Sequence, residues 1–167
     1  RVLLKWLDEY RESHDYLDCW VRTVDSDGRF IVKSSKSGQV ETIGTREDYF
    51  RILKKTKVVF YNTSGIDDSR TNTNGSKLIT NSYHQVTPRF LEYISCGCNI
   101  ISRYEMNEDV DYFELPKFTK NITDYDMFEK ELTKALHEEF DIGLYGNYLK
   151  NHYTSTIIPQ IKGVTKR

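Results

Sequence analysis

The chain is poor in cysteine and proline and has no excess of either charge. Its 167 residues include three cysteines and three prolines. The cysteine count is odd, and Cys96-Gly97-Cys98 places two of them closer than an easy disulfide or a zinc knuckle requires. That spacing argues against a disulfide framework and a structural zinc, and the thiols are expected to be reduced, as in the cytoplasm. No stretch approaches the roughly 20 apolar residues of a membrane-spanning helix. Lysine plus arginine number 24 against 25 acidic residues, so no overall field draws the chain to nucleic-acid phosphate. Gly28, Gly38 and Gly44 stand singly rather than in a phosphate-loop fingerprint. With 38% hydrophobic and 29% charged residues, the composition is that of one globular domain able to bury a core of its own. The opening Arg1-Val2-Leu3-Leu4 has neither an initiator methionine nor a charged-then-apolar leader, the pattern of an excised fragment.

Apolar residues at Val2, Leu3, Trp6, Leu7 and Tyr10 recur at helical spacing and predict a first helix ending near Ser13. Short strands follow at Cys19 to Val24 and Arg29 to Val32, joined by Asp25-Ser26-Asp27-Gly28 as a hairpin or as successive sheet strands. Thr45 and Asp48 form a capping box for a helix through Leu53, and Lys57 to Tyr61 then reads as a strand covered on both faces. Residues 62–82 are a long polar loop. A helix is expected to start at Thr87-Pro88, with threonine as its cap and proline as its first residue, and to end at Gly97 before a buried strand, Cys98 to Ile101. Thr123 to Asp126 opens a further helix with an apolar stripe of Tyr125, Phe128, Leu132, Ala135 and Leu136, and a last helix covers Tyr145 to Ser155. Helix, buried strand, loop, helix, buried strand is the rhythm of a parallel α/β domain.

In such sheets ligands sit at the carboxyl ends of the strands. The helix at Thr87-Pro88 offers free amides, and Arg89 a guanidinium fork, to an anionic group. Glu92 lies one turn on, about 5 Å along the axis, where a carboxylate can take a sugar hydroxyl. Arg89 and Glu92, at i and i+3, equally suit a solvated ion pair. Asp109-Val110-Asp111 has the letters of a metal motif but falls in a loop or short helix away from this stretch, and Asp67-Asp68 lies in the polar loop. Both read as surface acidity.

The run from His84 to Ile101, HQVTPRFLEYISCGCNII, resembles the donor-site motif of GT-B glycosyltransferases, in particular the glycosyl transferases group 1 family. In that family a polar loop leads to a helix bearing a glutamate five residues before a glycine, and Glu92 and Gly97 keep the interval. The resemblance implies a Rossmann-like three-layer domain with a mostly parallel sheet, the C-terminal half of a GT-B enzyme, and covers roughly residues 46–160. It assigns the ribose of a nucleotide-sugar to Glu92 and the diphosphate to Thr87 and Arg89. Many members carry a second glutamate eight residues upstream, on the transferred sugar, where this chain has His84. The basic pair that grips the diphosphate has no sure counterpart, and Lys33 and Lys36 are the nearest candidates.

The function implied by this resemblance is that of a glycosyltransferase of cell-surface polysaccharide or glycoconjugate assembly, with a nucleotide-sugar donor and no cofactor or metal. The glycan or lipid-linked acceptor would be bound through an amino-terminal domain not in this chain, in the cytoplasm at the inner membrane face. A helix terminus and a basic side chain stabilise a leaving diphosphate without a metal. The alternative is a noncatalytic interaction domain that keeps the fold without a working donor site. The His84 departure, the missing basic pair and the 12 tyrosines favour it.

Overall fold

The computed structural model describes residues 2–63, 66 and 85–152, and the element order is α1 (Val2–Ser13), β1 (Trp20–Val24), β2 (Phe30–Ser34), β3 (Val40–Thr42), α2 (Arg46–Leu53), β4 (Val58–Asn62), α3 (Arg89–Ser95), β5 (Asn99–Arg103), α4 (Glu108–Tyr112), α5 (Tyr125–His137) and α6 (Ile142–His152). A 3-10 turn, Leu115–Lys117, links α4 to the chain leading into α5. The expected polar loop lies, beyond Asn62, almost wholly outside the described residues, as does His84.

β4 and β5 pair in parallel, with Val59 beside Ile100 and Phe60 beside Ile101, and Asn121 adds a parallel bridge to Ser102. Side chains alternate across a strand, so this narrow sheet has two buried faces. Val59, Tyr61 and Ile100 join Leu53, Phe90, Ile94, Tyr145 and Tyr148 in one apolar cluster. Ile101, with Val58 and Phe60 packed alongside, joins Leu3, Leu7, Tyr10, Phe128 and Leu132 in the other. Thus α3 and α6 cover one face and α1 and α5 the other. The α1 and α5 stripes predicted from spacing are the surfaces used, although Tyr125, Ala135 and Leu136 end only partly buried.

The first 45 residues depart from the expectation of a mostly parallel sheet. β1, β2 and β3 form a separate antiparallel sheet, so the chain is α/β with a two-stranded parallel and a three-stranded antiparallel sheet among the described residues. The reason is local: Gly28 at φ 78 closes β1 onto β2, and Gly38 at φ 70 turns β2 toward β3. Such short links permit only antiparallel pairing, whereas parallel strands need a long crossover. β3, only three residues long, is too short to show a period in the sequence.

Caps fix the helix starts where the sequence signalled them. Thr45 and Asp48 form the complete capping box of α2. The Asp124 side chain accepts the Met127 N–H at the start of α5. α3 is the exception: Pro88 occupies the cap with φ −53 and ψ −22 and no side-chain bond, so Thr87 is not the cap and the helix begins one residue later than expected. Thr87 instead gives its N–H to the Tyr61 hydroxyl at 2.8 Å. At the other end of α3, the Gly97 N–H bonds the Ile94 carbonyl at 3.1 Å and the Cys98 N–H bonds the Tyr93 carbonyl at 3.1 Å. This paired closure needs a left-handed residue, and Gly97 has φ 71. α6 starts three residues before the expected Tyr145 and is described only to His152. Among the described residues no helix is long and apolar enough to cross a membrane.

The cluster around α3 and α6 buries groups that resist ionisation. Burial, reinforced by neighbouring Cys96, pushes the Cys98 thiol from 9.0 to about 12. Burial, followed by Cys98 and Asp141, pushes the Tyr145 phenol from 10.0 to about 12. Tyr148 and Tyr49 are raised as well, again mainly by burial. Each of these acids holds its proton more firmly folded than unfolded. Their contribution is therefore whole below the ordinary values, about 9 for the thiol and about 10 for the phenols, and is lost as the pH climbs toward 12. The urea midpoint is expected to fall above pH ~9 and more steeply above pH ~10. An unchanged midpoint between pH 8 and 11 would contradict this picture of the cluster.

Candidate functional site

Four residues separate α2 from β4, and three separate α3 from β5. α3 contacts β5, and Leu53 at the end of α2 shares a cluster with Val59 of β4; a helix that turns back into the next strand sets its first turn toward that strand's carboxyl end. There the Arg46 guanidinium, in the first turn of α2, donates to Glu92 Oε1 in the first turn of α3 at 3.2 Å. The two side chains differ sharply in exposure, 72% for Arg46 against 19% for Glu92. The carboxylate sits in a recess and the cation reaches over it from solvent. Arg46 also lies over the Phe50 ring, 5.3 Å from its centroid.

Arg89 is exposed and makes no hydrogen bond or ion pair among the described residues. The expected alternative, an Arg89–Glu92 pair, does not form, because Arg46 takes that place. Tyr49 and Tyr93 complete the neighbourhood: burial raises the Tyr49 phenol, the Tyr93 hydroxyl and Glu92 carboxylate raise it further, and Arg89 opposes them. Two arginines, a recessed carboxylate and two phenols thus converge within α2 and α3. Such a set can hold an anion against the guanidinium groups while the carboxylate accepts from a hydroxyl.

Behind this surface the chain is tied down from two sides. Tyr61 holds the Thr87 N–H, and Asp109 Oδ2 accepts the Val86 N–H at 3.3 Å. Asp109 is therefore not away from the motif, as its place in the sequence suggested. It is half-buried and positions the approach to α3, while Asp111 is exposed. The Thr87 amide, expected on a diphosphate, already has a partner in Tyr61, Arg46 is held by Glu92, and Arg89 is the cation here with no hydrogen bond or ion pair among the described residues.

The remaining candidates fall elsewhere. Lys33 is on β2, and Lys36, in the turn after it, donates to the Tyr16 carbonyl at 3.3 Å. Neither makes a hydrogen bond or ion pair with α3. Asp67 and Asp68 lie outside the described residues. Among the described residues no group of three or more His, Cys, Asp or Glu side chains is placed to hold a metal ion. A groove of about 680 Å³ runs along α2 from Glu47 past Phe50 and Arg51 to Lys54, facing Ser95 and Cys96 at the end of α3. It does not include Arg46, Arg89 or Glu92.

Arg46 and Tyr49 carry no signal of their role in the sequence. Arg46 meets Glu92 across 46 residues, and no local pattern announces such a contact. The one available signal is the capping box, which fixes where α2 begins but not what lies opposite it. No family model, no curated protein and no solved structure matches this chain.

Proposed function

We propose that this chain is the donor-binding half of a GT-B-type glycosyltransferase, a Rossmann-like unit that binds a nucleotide-diphosphate-sugar for transfer to a glycan or lipid-linked acceptor. The observation that carries the reading is Glu92, recessed in the first turn of α3 where a helix-covered parallel pair, β4 and β5, presents its carboxyl ends. In this reading Glu92 accepts the ribose hydroxyls, and Arg89 and Arg46 face the diphosphate. Arg46 then supplies the cation that Lys33 and Lys36 do not. An ion pair whose cation reaches in from solvent, as Arg46 does at 72% exposure, is worth only about 0–1 kcal/mol, so a ligand can exchange it for its own contacts at little cost. The acceptor and the catalytic base come from the second domain that the resemblance implies.

A second reading has its own support. Glu92 already has Arg46 as a partner and the Thr87 amide has Tyr61, as suits an interaction domain whose donor site is closed.

A thermal-shift panel of uridine, guanosine, thymidine and adenosine diphosphates and their sugars separates the two. A ligand at 100 times its Kd stabilises the fold by about 2.7 kcal/mol. One base is expected to raise the Tm by several degrees, with the shift lost in Glu92→Ala and reduced in Arg89→Ala. If none of these ligands moves the Tm of the parent chain, the interaction-domain reading stands instead.

A further inference from the structure

We propose that the outer edge of β1 receives an extended acidic segment of another protein as a fourth, antiparallel strand, with a carboxylate of that segment opposite Arg22. This is independent of the donor site and rests on the antiparallel sheet alone.

The hydrogen-bond pattern shows which groups are available. The Ser35 N–H bonds the Cys19 carbonyl at 2.8 Å, and the Asp25 N–H bonds the Arg29 carbonyl at 3.0 Å. These pairs flank the β1–β2 register, in which Val21 faces Lys33 and Thr23 faces Ile31. In an antiparallel ladder bonded and non-bonded pairs alternate. Cys19, Val21, Thr23 and Asp25 therefore bond toward β2, and Trp20, Arg22 and Val24 point N–H and C=O outward. β1 pairs with no other strand among the described residues. Its residues from Val21 to Val24 are all exposed, Val21 at 53% and Val24 at 51%. Such an edge, five residues long, is a ready template for strand addition.

Its chemistry selects the occupant. Trp20, Arg22 and Val24 lie on one face, and Phe30, opposite Val24 on β2, lies on it too. The Arg22 guanidinium rests 4.2 Å from the Phe30 ring centroid and has no ion pair among the described residues. The middle of the edge is thus an uncompensated cation between two apolar positions. A second copy of this chain is the wrong occupant: the two-fold antiparallel register that bonds all three outward residues sets Arg22 directly opposite Arg22, and like charges so placed repel. A strand with an acidic residue between apolar residues two places to either side satisfies both the backbone and the cation.

The test uses the 15N-labelled chain and two synthetic peptides, Thr-Val-Thr-Glu-Thr-Val-Thr and the same peptide with lysine at its centre. The glutamate peptide is expected to shift the amides of Trp20, Arg22 and Val24 saturably, more than those of Val21 and Thr23, and to bind roughly fivefold more tightly than the lysine peptide. Arg22→Glu should reverse that preference. Val24→Pro removes an outward N–H while leaving the bonds to β2 intact, and should weaken binding by roughly tenfold. The proposal fails if millimolar peptide leaves these amides unmoved, if the two peptides bind alike, or if Val24→Pro binds as well as the parent. It also fails if sedimentation shows a dimer of the chain that Val24→Pro abolishes, which would give the edge to a second copy.

Discussion

Replacing Gly97 by alanine is expected to destabilise the chain by about 2–4 kcal/mol and lower its Tm by about 5–15 °C. Two separate causes combine at this residue. Gly97 has φ 71, and holding an alanine there costs about 1–2 kcal/mol. A methyl group would also stand 2.7 Å from Cζ and 2.8 Å from Cε1 of Phe140, inside van der Waals contact. Phe140 cannot easily step aside, because it packs against the α3–α6 cluster with its ring 5.6 Å from that of Tyr145. The causes separate by substitution. Gly97→Asn keeps the clash and eases the backbone, since asparagine tolerates left-handed geometry. Gly97→Ala measured in a Phe140→Leu background eases the clash and keeps the backbone cost. Each should cost less than Gly97→Ala in the parent, and chemical denaturation of the set would show it. A neutral Gly97→Ala would mean that the α3–β5 junction does not close as described.

A cost of about 3–5 kcal/mol is expected for Phe90→Ala. Phe90 is 0% exposed. Its ring lies 5.8 Å from Tyr61, 5.7 Å from Phe118 and 6.2 Å from Tyr148. Removing it opens a cavity ringed by stiff aromatic side chains, and their stiffness keeps the cavity from collapsing. Domains are stable by only about 5–15 kcal/mol in total, so this one change takes a large share. It also removes an anchor of α3, the helix that carries Glu92. Phe90→Leu keeps most of the volume and should cost less than about 1.5 kcal/mol. Comparing the two by urea denaturation, and repeating the nucleotide panel on Phe90→Leu, distinguishes loss of the fold from loss of the site. Equal destabilisation by both would show that volume is not what matters at this position.

Much of the scaffold is legible directly from residue order. The α1 and α5 stripes, the Thr45 capping box, the apolar run before Asn62 and the Gly97 stop are all local signals, complete within a few residues. Where several residues decide together, residue order falls short. The turn at Gly28 admits two pairings, and only the register of Trp20 with Ser34 shows a hairpin. β3 has too few residues to alternate visibly. Pro88 stands at the cap of α3 while the Thr87 amide is held by the Tyr61 hydroxyl, a contact across 26 residues that no local pattern shows. The candidate site divides in the same way. Arg89 and Glu92, the residues proposed for it from the sequence, stand in one run. Arg46, Tyr49 and Asp109 reach it from other elements, through contacts that exist only after the chain has folded.

The two-sided burial of β4 and β5 bears on how the chain comes apart. Each of these five-residue strands gives alternate side chains to both apolar clusters. If α1 and α5 lift away, Val58, Phe60 and Ile101 are left facing water on strands still gripped from the other side. Their ladder then loses the pressure that kept solvent from its hydrogen bonds. Neither cluster can melt quietly while its neighbour survives, because they share one thin wall. The paired strands therefore act as a coupler, and loosening of α1, at one end of the chain, is felt at the junction between α3 and β5.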